Sequence, residues 1–172
     1  MLAWGRNATR PVEAGPAPVN PPSPPYPIKL APELRADVGA VERAIADQTA
    51  VLLDSRATNF FEGGAKSPQA LRPGRLPGAV QLDHVMAFDP AAMALKPRSE
   101  LEMLFAAVPA TPVINYCNTG HQAATNWFVL SEVLGRPGVS LYDGSMSEWT
   151  EDPNRPVAAG PAEPSSDGGT NR

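Results

Sequence analysis

The sequence is short of most groups that ordinarily organise a site. Among 172 residues there is one cysteine, Cys117, and there are two histidines, His84 and His121. A lone thiol makes no internal disulfide and no cysteine-rich zinc site, and two imidazoles add little, so neither a metal nor a cofactor is expected. Positive charge is scarce too: 14 basic against 18 acidic residues leave a net charge of -4, without the basic footprint of a nucleic-acid binder. No apolar run approaches the ~18 residues of a membrane span, and Arg6, Asn7, Thr9 and Arg10 interrupt any signal-like stretch at the N-terminus. The chain reads as soluble, with no nucleic-acid and no membrane partner, and as cytoplasmic as it stands. A periplasmic home would need an export signal and a domain upstream of Met1.

What the sequence does have is 42% hydrophobic residues against 19% charged, the balance of a globular chain, and 21 prolines placed unevenly. Nine of them fall between Pro11 and Pro32, where missing backbone donors favour extended chain. Residues 1–27 therefore read as a proline-rich arm. A second proline-bearing stretch, 151–172, runs out in Ser165-Ser166-Asp167-Gly168-Gly169 and is expected to be a flexible tail. Between them, residues 28–150 have the size of one compact domain.

The two loose ends resemble each other. Met1, Trp4, Arg10, Pro11, Val12, Ala14, Gly15, Pro16 and Ala17 recur, at a constant offset of 145, as Met146, Trp149, Arg155, Pro156, Val157, Ala159, Gly160, Pro161 and Ala162. An ungapped match of this kind is an internal repeat. It makes the first 17 residues look like the end of a preceding domain similar to the body, and Pro18 to Pro27 like a linker.

Inside the body, short apolar runs alternate with stretches of helical period, the pattern of an α/β fold with a parallel sheet. Val51-Leu52-Leu53, Val113 to Tyr116 and Val139 to Tyr142 are the clear strands, Ala79 to Leu82 is weaker, and Ile28-Lys29-Leu30 is an edge candidate. Asp37 to Ala46 reads as a helix capped by Asp37, and Ser99 to Val108 as one opened by a capping box of Ser99 and Glu102. A third helix is expected from Ala123 to Leu134, closed by Gly135 and Pro137.

Cys117 falls where an apolar strand ends and Asn118-Thr119-Gly120-His121-Gln122 leads into that third helix, at the sheet edge where such folds place ligands. Backbone N–H groups and the helix dipole favour negative charge there, which suits a reactive thiolate.

Four stretches carry a family resemblance in order: Leu52 to Arg56, Gly74 to Ala79, the cysteine loop, and Leu141 to Trp149. Together they resemble the rhodanese-type sulfurtransferases, and in particular the catalytic second half of tandem thiosulfate/3-mercaptopyruvate sulfurtransferases. The resemblance implies a three-layer rhodanese-like domain with a mainly parallel sheet of about five strands flanked by helices. It implies that Cys117 takes a sulfane sulfur from thiosulfate or 3-mercaptopyruvate, holds it as a persulfide, and passes it to cyanide or a thiol. Asn118, Thr119, Gly120, His121 and Gln122 would line the sulfur, Gly120 allowing the backbone to turn its N–H groups inward, and Arg56 would offer a fixed positive charge to the small anionic donor, the alternative being an ion pair with Asp54 or another acid.

Thiosulfate-preferring members resemble this loop but place basic residues after the cysteine. Asn118 and Thr119 are neutral, and Thr119 can stand where mercaptopyruvate-preferring members carry serine, so the comparison leans to that side. In tandem members the first domain walls the cleft, so a second rhodanese-like domain or a homodimer is the expected partner, covering an apolar face near Cys117. Two other readings stay open. Related phosphatases and arsenate reductases keep five residues between cysteine and an anion-clamping arginine, a place taken here by Ala123. Inactive, regulatory rhodanese-like modules usually lack the cysteine that this chain retains.

Overall fold

The computed structural model describes residues 31–110 and 112–161, preceded by 9–17 and by positions 19, 21, 27 and 29, all of which are exposed. Among the described residues six strands form: β1 (Val51–Asp54), β2 (Val80–Gln81), β3 (Phe88–Asp89), β4 (Ala94–Leu95), β5 (Val113–Tyr116) and β6 (Val139–Leu141). The main sheet has the order β2-β1-β5-β6 with every pair parallel, while β3 and β4 make a separate antiparallel hairpin. Parallel pairing throughout puts all the carboxyl ends at one edge, which is where Cys117 lies.

The expected fifth strand is reduced to a single parallel bridge between Arg35 and Leu141, with Ala36 N–H donating to the Leu141 carbonyl at 2.9 Å. The candidate at Ile28 to Leu30 lies largely outside the described residues, since both of those positions do.

Alternation along the central strands builds the three layers. Leu52, Ile114 and Tyr116 enter one core with Val41, Ala44, Met146 and Trp149, from α1 (Val38–Asp47) and the terminal helix at Ser145–Trp149. Leu53, Val113 and Val139 enter the other with Leu101, Phe105, Val129 and Leu130. A strand buried on both faces favours apolar residues at successive positions, as at Val113, Ile114 and Tyr116 of β5, while its one polar residue, Asn115, is buried and donates through Nδ2 to Ser140 O at 3.3 Å. No helix among the described residues is long and apolar enough to cross a membrane.

In chain order the remaining helices are α2 (Thr58–Phe61), α3 (Arg98–Leu104), α4 (His121–Phe128) and α5, the Ser145–Trp149 helix above. Asp37 caps α1 as expected, its carboxylate accepting from Ala40 N–H at 2.8 Å. The capping box at Ser99 does not form. Pro97 takes the cap position, the helix starts at Arg98, and Glu102 pairs with Arg98 one turn away instead. Here α4 begins two residues earlier than the periodicity suggests, buries Ala123 and Asn126 while leaving Trp127 only partly buried, and passes into a π turn at Val129–Val133 that buries Val129 and Leu130.

Residues 151–161 are no loose tail. They fold back as a strap across the body: Trp149 Nε1 donates to Pro156 O at 2.9 Å, and Ala158 and Arg75 exchange backbone hydrogen bonds of 2.8 and 2.9 Å. Val157 packs against the core, Gly160 N–H donates to Glu62 O at 2.8 Å, and Arg155 spans Glu42 and the Trp149 ring. Residues 162–172 lie outside the described residues.

Candidate active site

Cys117 follows β5 directly and is 1% exposed. Three residues carry the chain across the sheet edge, and α4 opens with Gly120 as its N-cap at φ 81°. A side chain is barred at Gly120 twice over. The left-handed backbone disfavours it, and a Cβ would meet Asp143 O at 2.9 Å and Asp143 Cα at 3.0 Å. The first turn of α4 leaves N–H groups without intrahelical acceptors, and those of Asn118 and Thr119 have no acceptor among the described residues either.

Three supports hold the loop. Ser145 Oγ accepts from Cys117 N–H at 3.0 Å and from Gly120 N–H at 3.1 Å. From the start of α5, Met146 N–H donates to Cys117 O at 3.2 Å and Ser147 N–H to Asn118 O at 3.0 Å. From the far side, Arg56 Nη1 donates to Asn118 Oδ1 at 3.2 Å.

Arg56 departs from its expected task. Instead of presenting a charge to a donor, its guanidinium is turned inward, at 2% exposure for the residue. Nε and Nη2 bond the Asp54 carboxylate at 2.8 and 2.5 Å, and Nη2 also donates to Gly74 O at 2.8 Å. Burial alone would pull the Arg56 pKa down, but the bonds and charge of Asp54 outweigh it and hold it above its ordinary value, with Tyr116 and Cys117 pushing the same way. What remains for the loop is one guanidinium nitrogen that orients Asn118, with the charge balanced by Asp54. Tyr116, stacked below, accepts from Leu76 N–H at 3.2 Å, and burial and the Asp54 charge push its phenol pKa up.

Of the other loop residues, Thr119 Oγ1 lies 3.2 Å from His121 Nδ1, with His121 exposed at the mouth. Gln122 Oε1 is buried without a hydrogen-bond partner among the described residues. His84, expected in a loop, opens a 3-10 turn at His84–Ala87, with its Nδ1 at 3.1 Å from both Ser55 O and Asp83 Oδ1. Among the described residues no group of three His, Cys, Asp or Glu could hold a metal ion.

Sequence reasoning missed two members of this constellation. Asn126 Nδ2 reaches Ser55 Oγ at 2.9 Å and Leu82 O at 2.8 Å, tying α4 to the ends of β1 and β2. Ser145 was visible only as part of a family landmark, because nothing in the composition around it announces a left-handed serine.

A profile of the Rhodanese-like domain family matches residues 37–152. The chain belongs to the rhodanese-like family. Among curated rhodanese-like proteins it is 33% identical to a thiosulfate sulfurtransferase of Corynebacterium glutamicum, over 93% of this chain and 57% of that protein. It is 31% identical to one of Pseudomonas aeruginosa, over 91% of this chain and 56% of that one. The chain thus spans a little over half the length of these relatives. Among solved structures, the Tum1 protein of Saccharomyces cerevisiae superposes with a TM-score of 0.65 at 23% identity, over 74% of this chain and 47% of that one. The anaerobic ergothioneine biosynthesis enzyme of Chlorobium limicola gives 0.67 at 23%, over 76% and 33%. Both share the rhodanese-like fold described above.

Proposed function

We propose that this chain is a sulfurtransferase that carries a sulfane sulfur as a Cys117 persulfide from thiosulfate or 3-mercaptopyruvate to cyanide or a thiol. The observation that carries the reading is the one thiol of the chain, set at the strand-to-helix turn beside backbone N–H groups that no acceptor among the described residues takes. The Cys117 thiolate attacks the outer sulfur of thiosulfate, the S–S bond breaks, and sulfite leaves with the bonding pair. Cyanide carbon then attacks the outer sulfur of the persulfide, the new S–S bond breaks, and thiocyanate leaves while the thiolate is restored. With 3-mercaptopyruvate the bond that breaks is C–S, and the carbon takes the electron pair and a proton to give pyruvate. The names of the relatives favour thiosulfate, whereas the neutral Asn118 and Thr119 favour a donor that needs fewer cations. Ala123 in place of an anion-clamping arginine speaks against phosphate chemistry, and the retained cysteine against a purely regulatory module.

The reading extends to a cover for the site. Val85 and Met86, 54% and 49% exposed, follow β2 at the carboxyl edge that also carries Cys117. The repeated strap sequence at residues 4–17 and the greater length of the relatives favour a second rhodanese-like domain as occupant. Light scattering of the isolated chain is expected to give a monomer; a stable dimer would favour a second copy in that place.

Intact mass before and after incubation with each donor tests the chemistry. One added sulfur atom is expected, cyanide should release it as thiocyanate, and Cys117→Ser should take up none. Turnover by Cys117→Ser at the parent rate would overturn the assignment.

A further inference from the structure

Taking Cys117 as the sulfur carrier, we propose that Ser145 is a positioning residue whose hydroxyl decides which N–H groups of the cysteine loop stay free for the sulfur. Ser145 is fully buried and has φ 52°, whereas the other described non-glycine residues with positive φ, Gln48 and Met93, are exposed. A left-handed, buried serine is unusual, because L side chains disfavour that backbone and glycine takes it freely. Glycine is present next door, but Gly144 sits at an ordinary right-handed φ of -60°. The strained position therefore carries a hydroxyl where a glycine would be easier.

That hydroxyl is saturated. Its proton goes to Tyr142 O at 2.9 Å, and its lone pairs take the N–H groups of Cys117 and Gly120 at 3.0 and 3.1 Å. It has no proton left for a sulfur and acts through the loop instead. The intervening peptides are set the opposite way. Met146 N–H holds Cys117 O and Ser147 N–H holds Asn118 O, both on the side of α5. In a trans peptide the N–H points away from its carbonyl, so the Asn118 and Thr119 N–H groups face away from α5. The outer residues of the turn thus spend their donors on Ser145 while the inner two keep theirs. Loss of the hydroxyl would strand two buried N–H groups and let both end peptides rotate, blurring that division.

Ser145→Ala and Ser145→Gly test this, because Gly removes the hydroxyl and relieves the left-handed strain together. Three readouts are taken: sulfur transfer, melting temperature, and the pH dependence of iodoacetamide alkylation, which reports one site because the chain has one thiol. Both variants are expected to lose about tenfold or more in kcat with KM for the donor changed by less than about threefold. Both should also shift the alkylation midpoint upward, although Gly melts no lower than Ala. Parent kcat and midpoint in Ser145→Gly would show that the turn suffices without the hydroxyl. Loss of cooperative melting in both variants would make Ser145 a core residue only, and either result overturns the proposal. If the parent chain itself takes up no sulfur, the functional reading fails, while the alkylation midpoints still report on Ser145.

Discussion

Arg56 and Asp54 are both closed to solvent, at 3% and 0% side-chain exposure, so neither charge has water to fall back on. Arg56→Ala leaves Asp54 buried and unpaired, and urea denaturation is expected to show a loss of about 3–5 kcal/mol. Replacing both partners with apolar residues of similar volume, as Asp54→Leu with Arg56→Met, should be more stable than either single change. Arg56→Lys keeps the charge but lacks the planar fork that reaches Asp54, Gly74 O and Asn118 together, so it should recover stability better than kcat. The loop itself is most sensitive at Gly120. Gly120→Ala forces a Cβ toward the Asp143 backbone at a left-handed φ, and a loss of about 1–3 kcal/mol is expected in thermal melts, together with most of the activity.

The strap adds a test between elements. A Cβ at Gly74 would run into the Ala158 carbonyl, so Gly74→Ala should open the Arg75–Ala158 bridge, seen as faster hydrogen exchange at those two amides while β5 stays protected. The elements that the sequence made legible are those decided locally. Val113, Ile114 and Tyr116 make an apolar run because the strand is buried on both faces, with Asn115 as its one polar member, and Asp37 caps α1 through a bond only three residues long. The turn after Cys117 was legible for the same reason, from the strand before it and the helix after, although α4 takes up His121 and Gln122, which the sequence left in the loop. Elements decided by distant partners were not legible. The chain after α3 is fixed by Arg136, whose guanidinium takes Phe105 O and Val108 O at 2.8 Å each. The strap looked loose because it is rich in proline, yet its partner Arg75 lies far back in the chain. For Arg56 the sequence left two readings, a substrate cation and an ion pair with Asp54, because it does not say which way a guanidinium turns, and the second is the one the fold takes.

At the scale of the whole molecule, one of the two cores closes over two phenols. Tyr116 and Tyr142 are both fully buried; burial, then the Asp54 charge for the first and the Glu148 carboxylate for the second, push both pKa values up. A phenol whose pKa is higher folded than unfolded contributes stability at neutral pH and loses it as the pH rises past its unfolded value of about 10. Tyrosinate absorbance from these two residues should therefore appear only together with the loss of circular dichroism in an alkaline titration. An early, separate rise equivalent to two phenols would contradict their burial.

The strap also makes one end of the chain audible at the catalytic edge. Ala158 holds Arg75, the residue beside it is Gly74, and the Gly74 carbonyl is one of the anchors of the guanidinium that steadies Asn118. A protease that nicks the exposed turn at Pro153 and Asn154 would not merely shorten a terminus. By releasing the residues beyond the cut it would slacken a hydrogen-bonded tether that ends next to the thiol, so wear at the rim of this protein is felt at its centre.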